Sequence, residues 1–380
     1  MDAHLHQRPY RVGIPFAGID GPGEAARQLP GRRVKVNNVM EKNPHCVKYL
    51  NSRLGRDLWC EDVMEKVLED CEDSDVIFSG PPCKPHSRLG KMGGADDPRS
   101  LTFLKAIDIA AELATRKVLK AVIFENSPVV AEYTKNKGRY LDTVNAYWAS
   151  KMPDWTEFEL VRLSPEMFGV PHSRMRLFII SYPVVFTRAI PPPDLQEVEA
   201  PEKPADLLDF LEDSTLKFSE LDFINAKQNW ANVKDWTIEF EDLVWLEPTV
   251  TSATTDFCRR VEGAFGAYLT ENKVCALTET NYYLGVWGCG PKAAGKVTRA
   301  GRWLTNRERG RLAGFSDESI RVLEETMSRR QMQMALGNTI VVPVAKHLLG
   351  SIFKYLDACM DKFSKFPFSL WAAEFSLALG

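Results

Sequence analysis

Four short blocks carry the residue types that could do chemistry, each at the edge of an apolar run. In Ser79-Gly80-Pro81-Pro82-Cys83-Lys84-Pro85-His86-Ser87 a cysteine sits in a loop stiffened by prolines, and loops hold reacting groups more often than buried structural ones. A free cysteine is usually a small core hydrophobe, but proline-flanked loops argue against that fate, so Cys83 is a candidate nucleophile. Glu125-Asn126-Ser127-Pro128 places a carboxyl group at the C-terminal end of the run Ala121 to Phe124, on the side where α/β sheets bind ligands; an exposed turn residue is the plain alternative. In Phe168-Gly169-Val170-Pro171-His172-Ser173-Arg174-Met175-Arg176, two arginines stand two apart at a strand entry and would share one face, with surface ion pairs as the alternative. Finally, Phe16-Ala17-Gly18-Ile19-Asp20-Gly21-Pro22-Gly23 follows one run and precedes a helical pattern. Glycine there lets a ligand approach the backbone, and a helix N-terminus favours a negative group. Glu41 ends the next strand, where a carboxylate can accept hydrogen bonds from both ribose hydroxyls of a nucleoside cofactor.

These groups need a rigid frame. From Arg11 to about Tyr182, short apolar runs (Val12 to Phe16, Val34 to Met40, Val76 to Phe78, Ala121 to Phe124, Leu177 to Ile180) alternate with helical patterns, which predicts an α/β fold with a mostly parallel sheet and helices on its faces. Leu101, Leu104, Ile107, Ala111, Ala114 and Val118 recur at steps of three and four, predicting a helix that packs one face on the sheet and completes a βαβ unit. After Tyr182 the texture changes. A proline cluster in 183–206 reads as a linker or hinge. The stretch to about 300, with Trp230, Trp236 and Trp245, is less periodic and reads as a smaller second lobe. Beyond Arg302 helical patterns return, and Met334 to Leu349 reads as a loop entering an apolar helix. The expected domains are 1–182, 183–300 and a segment 301–380 that completes the first.

Composition narrows the class. Of 380 residues, 44% are hydrophobic and 26% charged, as in ordinary globular proteins. The net charge of -3 means that any nucleic-acid surface has to be a local basic patch. The eight cysteines are scattered without a C-x-x-C pair, so neither structural zinc nor a disulfide framework is expected. The first ten residues lack a signal pattern, and no apolar run approaches the roughly 18 residues of a membrane span. The expectation is an intracellular, reduced protein, which keeps a thiol nucleophile available.

In order, these blocks resemble the C5-specific cytosine DNA methyltransferases, which use S-adenosylmethionine. The series runs from the cofactor loop through P-C, E-N and R-x-R to Arg302-Trp303-Leu304-Thr305-Asn306-Arg307-Glu308-Arg309-Gly310-Arg311-Leu312-Ala313-Gly314-Phe315 and Ala335-Leu336-Gly337-Asn338-Thr339. The resemblance covers the chain except 183 to about 300, where the family keeps its variable target-recognition region. It implies a Rossmann-like S-adenosylmethionine-dependent methyltransferase domain plus a smaller target-recognition lobe. Cys83 would be the thiolate that adds to carbon 6 of a flipped-out cytosine, Glu125 would sit at ring nitrogen 3, and Arg174 and Arg176 would orient the base. Phe16, Ala17, Gly18, Ile19 and Gly21 would lie around the methionine part of the cofactor and Glu41 at the ribose. Asp62 and Val63 would lie at the adenine, and Pro81, Asn338 and Thr339 would complete the site. Departures from the family pattern stand at Lys84, His86, Ser127, His172 and Thr339.

The expected partner is double-stranded DNA, with neither metal nor membrane, and the expected form is a monomer. Lys84 and Ser87 in the cysteine loop, with Arg259, Arg260, Lys292 and Lys296 in the second lobe, are the candidate DNA contacts; a solvated basic face is the alternative for the latter four. Methylation would take place in the nucleus of a eukaryote or at the nucleoid of a bacterium. Three other readings stay open. One is the tRNA-methylating branch of the same family, whose Cys-Phe-Thr signature is missing where Asp256-Phe257-Cys258-Arg259 stands. Another is a regulatory DNA-binding homologue without catalysis. A nicotinamide-dependent oxidoreductase would explain the glycine loop but none of the other blocks.

Overall fold

In the computed structural model, the described residues are 8–31, 34–55, 62–83, 98–132, 139–199, 201, 207–210, 212, 244–247, 259–260, 268–271, 285–289 and 299–365. The chain forms two compact units, one of residues 1–163, 175–199 and 340–380, the other of residues 164–174 and 200–339.

The first unit is built on strands β1 (Tyr10–Pro15), β2 (Val34–Met40), β3 (Val76–Ser79), β4 (Ala121–Asn126), β5 (Glu159–Leu163) and β6 (Arg176–Ser181), in the order β2-β1-β3-β4-β6-β5. Strands β2, β1, β3 and β4 run parallel, and β6 lies antiparallel to both β4 and β5. Every residue of β3 and β4 is buried, the signature of a strand covered on both faces. The helices are α1 (Gly21–Arg27), α2 (Pro44–Leu54), α3 (Leu101–Thr115), α4 (Tyr140–Lys151) and α5 (Val184–Ala189). The expected helix is α3 and it completes a β3-α3-β4 unit, but its buried face is Phe103, Ala106, Ile107, Ala110 and Leu113, in a core shared with Val122, Phe124 and Ile179. Of the residues expected on that face, Ile107 is buried, Leu104, Ala111, Ala114 and Val118 are partly buried, and Leu101 is 52% exposed.

The amino end of this sheet is closed by a buried charge. Asp75, with 0% of its surface exposed, accepts hydrogen bonds from Arg8 Nη1 (2.9 Å) and Nη2 (2.6 Å), from the Arg11 backbone N–H (3.0 Å) and from Lys120. Burial alone would push this carboxyl up, but the bonds from Arg8, Lys120 and Arg11 outweigh it and hold Asp75 well below the usual carboxylate range. The starts of β1, β3 and β4 are thereby tied together.

The second unit holds β7 (Val244–Glu247), β8 (Arg259–Arg260), β9 (Tyr268–Glu271), β10 (Gly285–Cys289) and β11 (Arg299–Trp303) in an antiparallel sheet of order β11-β10-β7-β9-β8. Three helices follow: α6 (Asn306–Leu312), α7 (Asp317–Thr326) and α8 (Arg329–Asn338). Thr305 and Glu308 form a reciprocal cap on α6, and Glu308 also accepts from the Glu212 backbone N–H at 3.0 Å. Helix α9 (Val342–Ser364) belongs to the first unit and packs on α1.

Three further features differ from the sequence expectations. Residues 183–199 are not a bare linker: α5 lies there, Leu195 is fully buried, and the Gln196 side chain bonds both the N–H (3.0 Å) and the carbonyl (2.7 Å) of Arg162 on the edge strand β5. Met334 to Asn338 is the end of α8 rather than a loop. Strand β5 was not expected, because Glu159-Leu160-Val161-Arg162-Leu163 alternates over too few residues to stand out. The α8–α9 stretch, Arg329–Ser364, also contains a window apolar enough to cross a bilayer by length and composition. That apolarity faces protein, with Leu348, Leu349, Ile352, Phe353 and Leu356 fully buried.

Candidate active site at the carboxyl end of the sheet

Strand order turns at β1 and β3: the chain leaves β1 toward β2 and leaves β3 toward β4. Such a switch point opens a crevice between the two departing loops, the usual ligand position in an open α/β sheet. Here the loops are 16–20 and 80–83.

Loop 16–20 is wound tightly. Phe16 (φ 60), Gly18 (φ 56) and Asp20 (φ 60) all adopt left-handed backbone, which for the two non-glycine residues costs on the order of 1–2 kcal/mol each. The strain is held by bonds on both sides. The Ala17 N–H donates to the Met40 carbonyl at 2.9 Å, and the Asp20 carboxylate caps α1 by accepting from the Gly23 N–H at 2.9 Å. Asp20 is completely buried, and burial pushes its carboxyl up even though Arg27 and the Gly23 N–H pull it down. Gly23 has no alternative: a β-carbon there would stand 2.2 Å from the Asp20 oxygens.

Glu41 spans two loops. Its Oε2 accepts from the Gly18 N–H at 2.8 Å and its Oε1 from the Asn43 N–H at 2.7 Å. Each oxygen keeps a second lone pair, so the carboxylate is oriented and can still receive hydroxyl donors. Asp62 caps a 3-10 turn at Val63–Glu65, accepting from the Met64 N–H at 3.1 Å and pairing with Lys42 at 3.0 Å. The backbone bond and Lys42 lower its pKa. Lys105 of α3 and Arg116, directly after it, donate to the carbonyls of Lys66, Leu68, Glu69 and Cys71, which fixes the segment after Asp62.

In the cysteine loop, Ser79 donates to the Pro15 carbonyl at 3.3 Å and Asn126 Nδ2 donates to the Pro81 carbonyl at 3.3 Å. The loop is therefore bonded to β1 on one side and β4 on the other. Among the cysteines whose side chains are described, Cys46, Cys71 and Cys359 are buried and Cys83 is partly exposed. Burial, then Glu41, pushes the Cys46 thiol up to about 12, which leaves it inert. Register places Ser79 beside Phe124, so Gly80 and Glu125 follow side by side. Glu125 Oε2 lies 3.5 Å from where a β-carbon on Gly80 would stand, and Glu125 Oε1 forms an ion pair with Arg176 Nε at 3.0 Å. Glu125 is 9% exposed.

The first unit thus brings together Phe16, Ala17, Gly18, Ile19, Gly21, Glu41, Pro81, Cys83, Glu125 and Arg176 at one end of its sheet, with Asp62 and Val63 on the segment that leads into β3. Ala17, Ile19, Gly21, Val63 and Pro81 are buried, so they offer backbone or an apolar wall. Arg174, Asn338 and Thr339 lie in the second unit. There Arg174 does not share a strand face with Arg176: it precedes β6 and donates to the Gly337 carbonyl at 2.6 Å. Asn338 is exposed and Thr339 buried. Arg259 and Arg260 form β8. Lys84, Ser87, Lys292 and Lys296 lie outside the described residues, as do Trp230 and Trp236. Sequence reasoning did not single out Asp20, Ser79 or Asn126 as site-builders. An aspartate directly before a Gly-Pro-Gly helix start was a capping signal for the first; nothing local marked the other two. Among the described residues no group of acidic, His or Cys side chains could hold a metal ion.

A strained loop, a carboxylate oriented by two amides, a partly exposed cysteine and a carboxyl–guanidinium pair thus stand at one end of a Rossmann-like sheet. The C-5 cytosine-specific DNA methylase model matches residues 16–354, and the chain belongs to that family. The tRNA (cytosine(38)-C(5))-methyltransferase of Mus musculus is 30% identical over 183 residues, 46% of this chain and 40% of the mouse protein, so this chain spans less than half of that relative's length. Type II methyltransferase M.HhaI of Haemophilus parahaemolyticus is 25% identical over 90% of this chain and 94% of its own. The Entamoeba histolytica methyltransferase EhMeth superposes with a TM-score of 0.62 at 16% identity, covering 92% of this chain and 99% of the other. The fold is that of S-adenosylmethionine-dependent methyltransferases, and S-adenosylmethionine is the family's methyl donor. The residues present fit it: a β-carbon on Gly18 would meet nothing within 4 Å, which leaves open space above the loop, and Glu41 is oriented by two amides beside it.

Proposed function

We propose that this protein methylates carbon 5 of cytosine in double-stranded DNA through a covalent adduct on Cys83. The observation that carries the reading is the Glu125–Arg176 pair at 3.0 Å at the sheet end where the cysteine loop leaves β3: a carboxyl and a guanidinium at that end are what a thiol adding to a cytosine ring would need. The Cys83 thiolate adds to carbon 6 of the ring, and the electrons displaced from the 5,6 double bond make carbon 5 nucleophilic. Glu125 holds ring nitrogen 3 and shares the proton that balances the charge gained on addition. Arg176 orients Glu125 and stabilises negative charge nearby. S-adenosylmethionine, held by loop 16–20, Glu41 and Asp62, supplies the methyl group as an electrophile. Loss of the carbon 5 proton to a base then expels Cys83 and restores the ring. A base inside a stacked duplex is out of reach, so the cytosine has to be flipped out. The 183–300 stretch is assigned to target recognition.

DNA is favoured by the family description and by relatives of the type II class that align along most of the chain. A second reading, tRNA, rests on the tRNA methyltransferase relatives that align with less than half of it. The test is transfer of labelled methyl groups to duplex DNA and to tRNA, with Cys83→Ser alongside. Cys83-dependent labelling of DNA supports the proposal. Labelling of tRNA alone moves the substrate to RNA, and labelling by Cys83→Ser at the wild-type rate removes the covalent mechanism.

A further inference from the structure

We propose that Arg174 and Arg176, two residues apart in one block, hold different posts: Arg176 acts on Glu125, whereas Arg174 is a positioning residue that locks the carboxyl end of α8, where Asn338 and Thr339 stand. This rests on the methyltransferase reading and divides a role that the resemblance gives to both arginines.

The geometry within the second unit carries the assignment. Arg174 is 6% exposed. Its backbone N–H donates to Ser164 Oγ at 3.2 Å and its Nη1 to the Gly337 carbonyl at 2.6 Å. The last carbonyls of a helix have no partner within the helix. In α8 the usual remedy is missing, because Thr339 takes extended backbone (φ -75, ψ 154) directly after Asn338 instead of the left-handed turn that folds amides back on the helix end. A guanidinium supplies both a donor and a positive charge where the helix dipole is negative. Gly337 is buried, so water is a poor substitute. Only residues 339–341 separate α8 from α9 in the chain. Arg176, by contrast, is partly exposed and its Nε is engaged with the Glu125 carboxylate. A charge-assisted bond to a main-chain carbonyl orients the backbone that follows it; one to a carboxylate tunes a reacting group.

The experiment measures S-adenosylhomocysteine binding by calorimetry, steady-state methyl transfer across pH, and amide hydrogen exchange of the peptide spanning 333–341. Arg174→Met is expected to speed exchange in that peptide, to weaken S-adenosylhomocysteine binding on the order of tenfold and to raise KM for S-adenosylmethionine. Its kcat at saturation and its pH profile stay close to wild type, and Arg174→Lys, which still places a cation near the carbonyl, recovers most of the affinity. Arg176→Lys is expected to leave binding and exchange unchanged while lowering kcat and shifting the acid limb of the profile. Wild-type exchange and affinity in Arg174→Met overturn the proposal, as does a fall in kcat with KM untouched. If Arg174→Met does not fold, Arg174→Gln, shorter and uncharged, is read by the same criteria. A wild-type protein that binds S-adenosylhomocysteine but labels neither DNA nor tRNA removes the functional reading and leaves this one to be decided by binding and exchange.

Discussion

At the amino end of the six-stranded sheet, Asp75 receives Arg8, Arg11 and Lys120 and has no surface left for solvent. At the carboxyl end, Glu125 receives a single guanidinium and keeps an oxygen toward the glycine that leads into the cysteine loop. Both are carboxylates near a strand terminus with arginine at hand. The difference is saturation: a carboxylate bonded on all sides is a staple, while one bonded on one side can still exchange partners with a substrate. The same contrast separates the thiols, with Cys46 buried and raised and Cys83 partly exposed.

That contrast breaks if substitutions at the two ends have similar effects. Cys83→Ser should lower methyl transfer by at least about a thousandfold, equivalent to about 4 kcal/mol of barrier, with the urea midpoint unchanged because the side chain is not core; a shifted midpoint would put Cys83 among the structural residues. Asp75→Asn should do the reverse. It removes the buried charge while keeping its shape, takes the counter-ion from Arg8 and Lys120 while Arg11 keeps Asp73, and should cost about 3 kcal/mol of stability, read from denaturant unfolding. The wild-type protein should show the same dependence on pH. Because the folded-state pKa of Asp75 is depressed, its stabilisation is complete above the unfolded value of about 3.9 and is lost as pH falls below it; the Asp75→Asn variant should lose correspondingly less stability on acidification.

Glu125→Gln sharpens the carboxyl-end half of the comparison. It should lower kcat about a hundredfold, with stability within about 0.5 kcal/mol of wild type. A loss of several kcal/mol of stability would mean that Glu125 is a staple as well. Gly23→Ala should have the smallest effect, about 1 kcal/mol: the added methyl displaces the Asp20 carboxylate from its cap, and circular dichroism melting together with cofactor affinity would register it.

Much of this was legible in the sequence because the signals are local. Four of the five anticipated runs became strands of the parallel region and the fifth became β6; the spacing located helix α3, but its buried face is turned toward Phe103, Ala106, Ala110 and Leu113, with Ile107 shared between the expected and observed faces. The positions of Cys83, Glu125 and Glu41 at strand ends could be read because each directly follows or closes an apolar run in the sequence. Strand β5 escaped because a short edge strand has little pattern of its own; its outer edge is satisfied by Gln196, a partner 34 residues away. The proline cluster misled for a related reason, since composition cannot show that Leu195 is buried.

The sequence by itself determined which groups are present and at which strand ends they stand, because periodicity and turn chemistry are properties of neighbouring residues. Only the tertiary structure decided how each group is used. Asn126 holds the Pro81 carbonyl, Arg174 holds Gly337, and Arg176 rather than Arg174 meets Glu125. Hydrogen-bond partners far apart in the chain are chosen by packing, and no local pattern of residues encodes them.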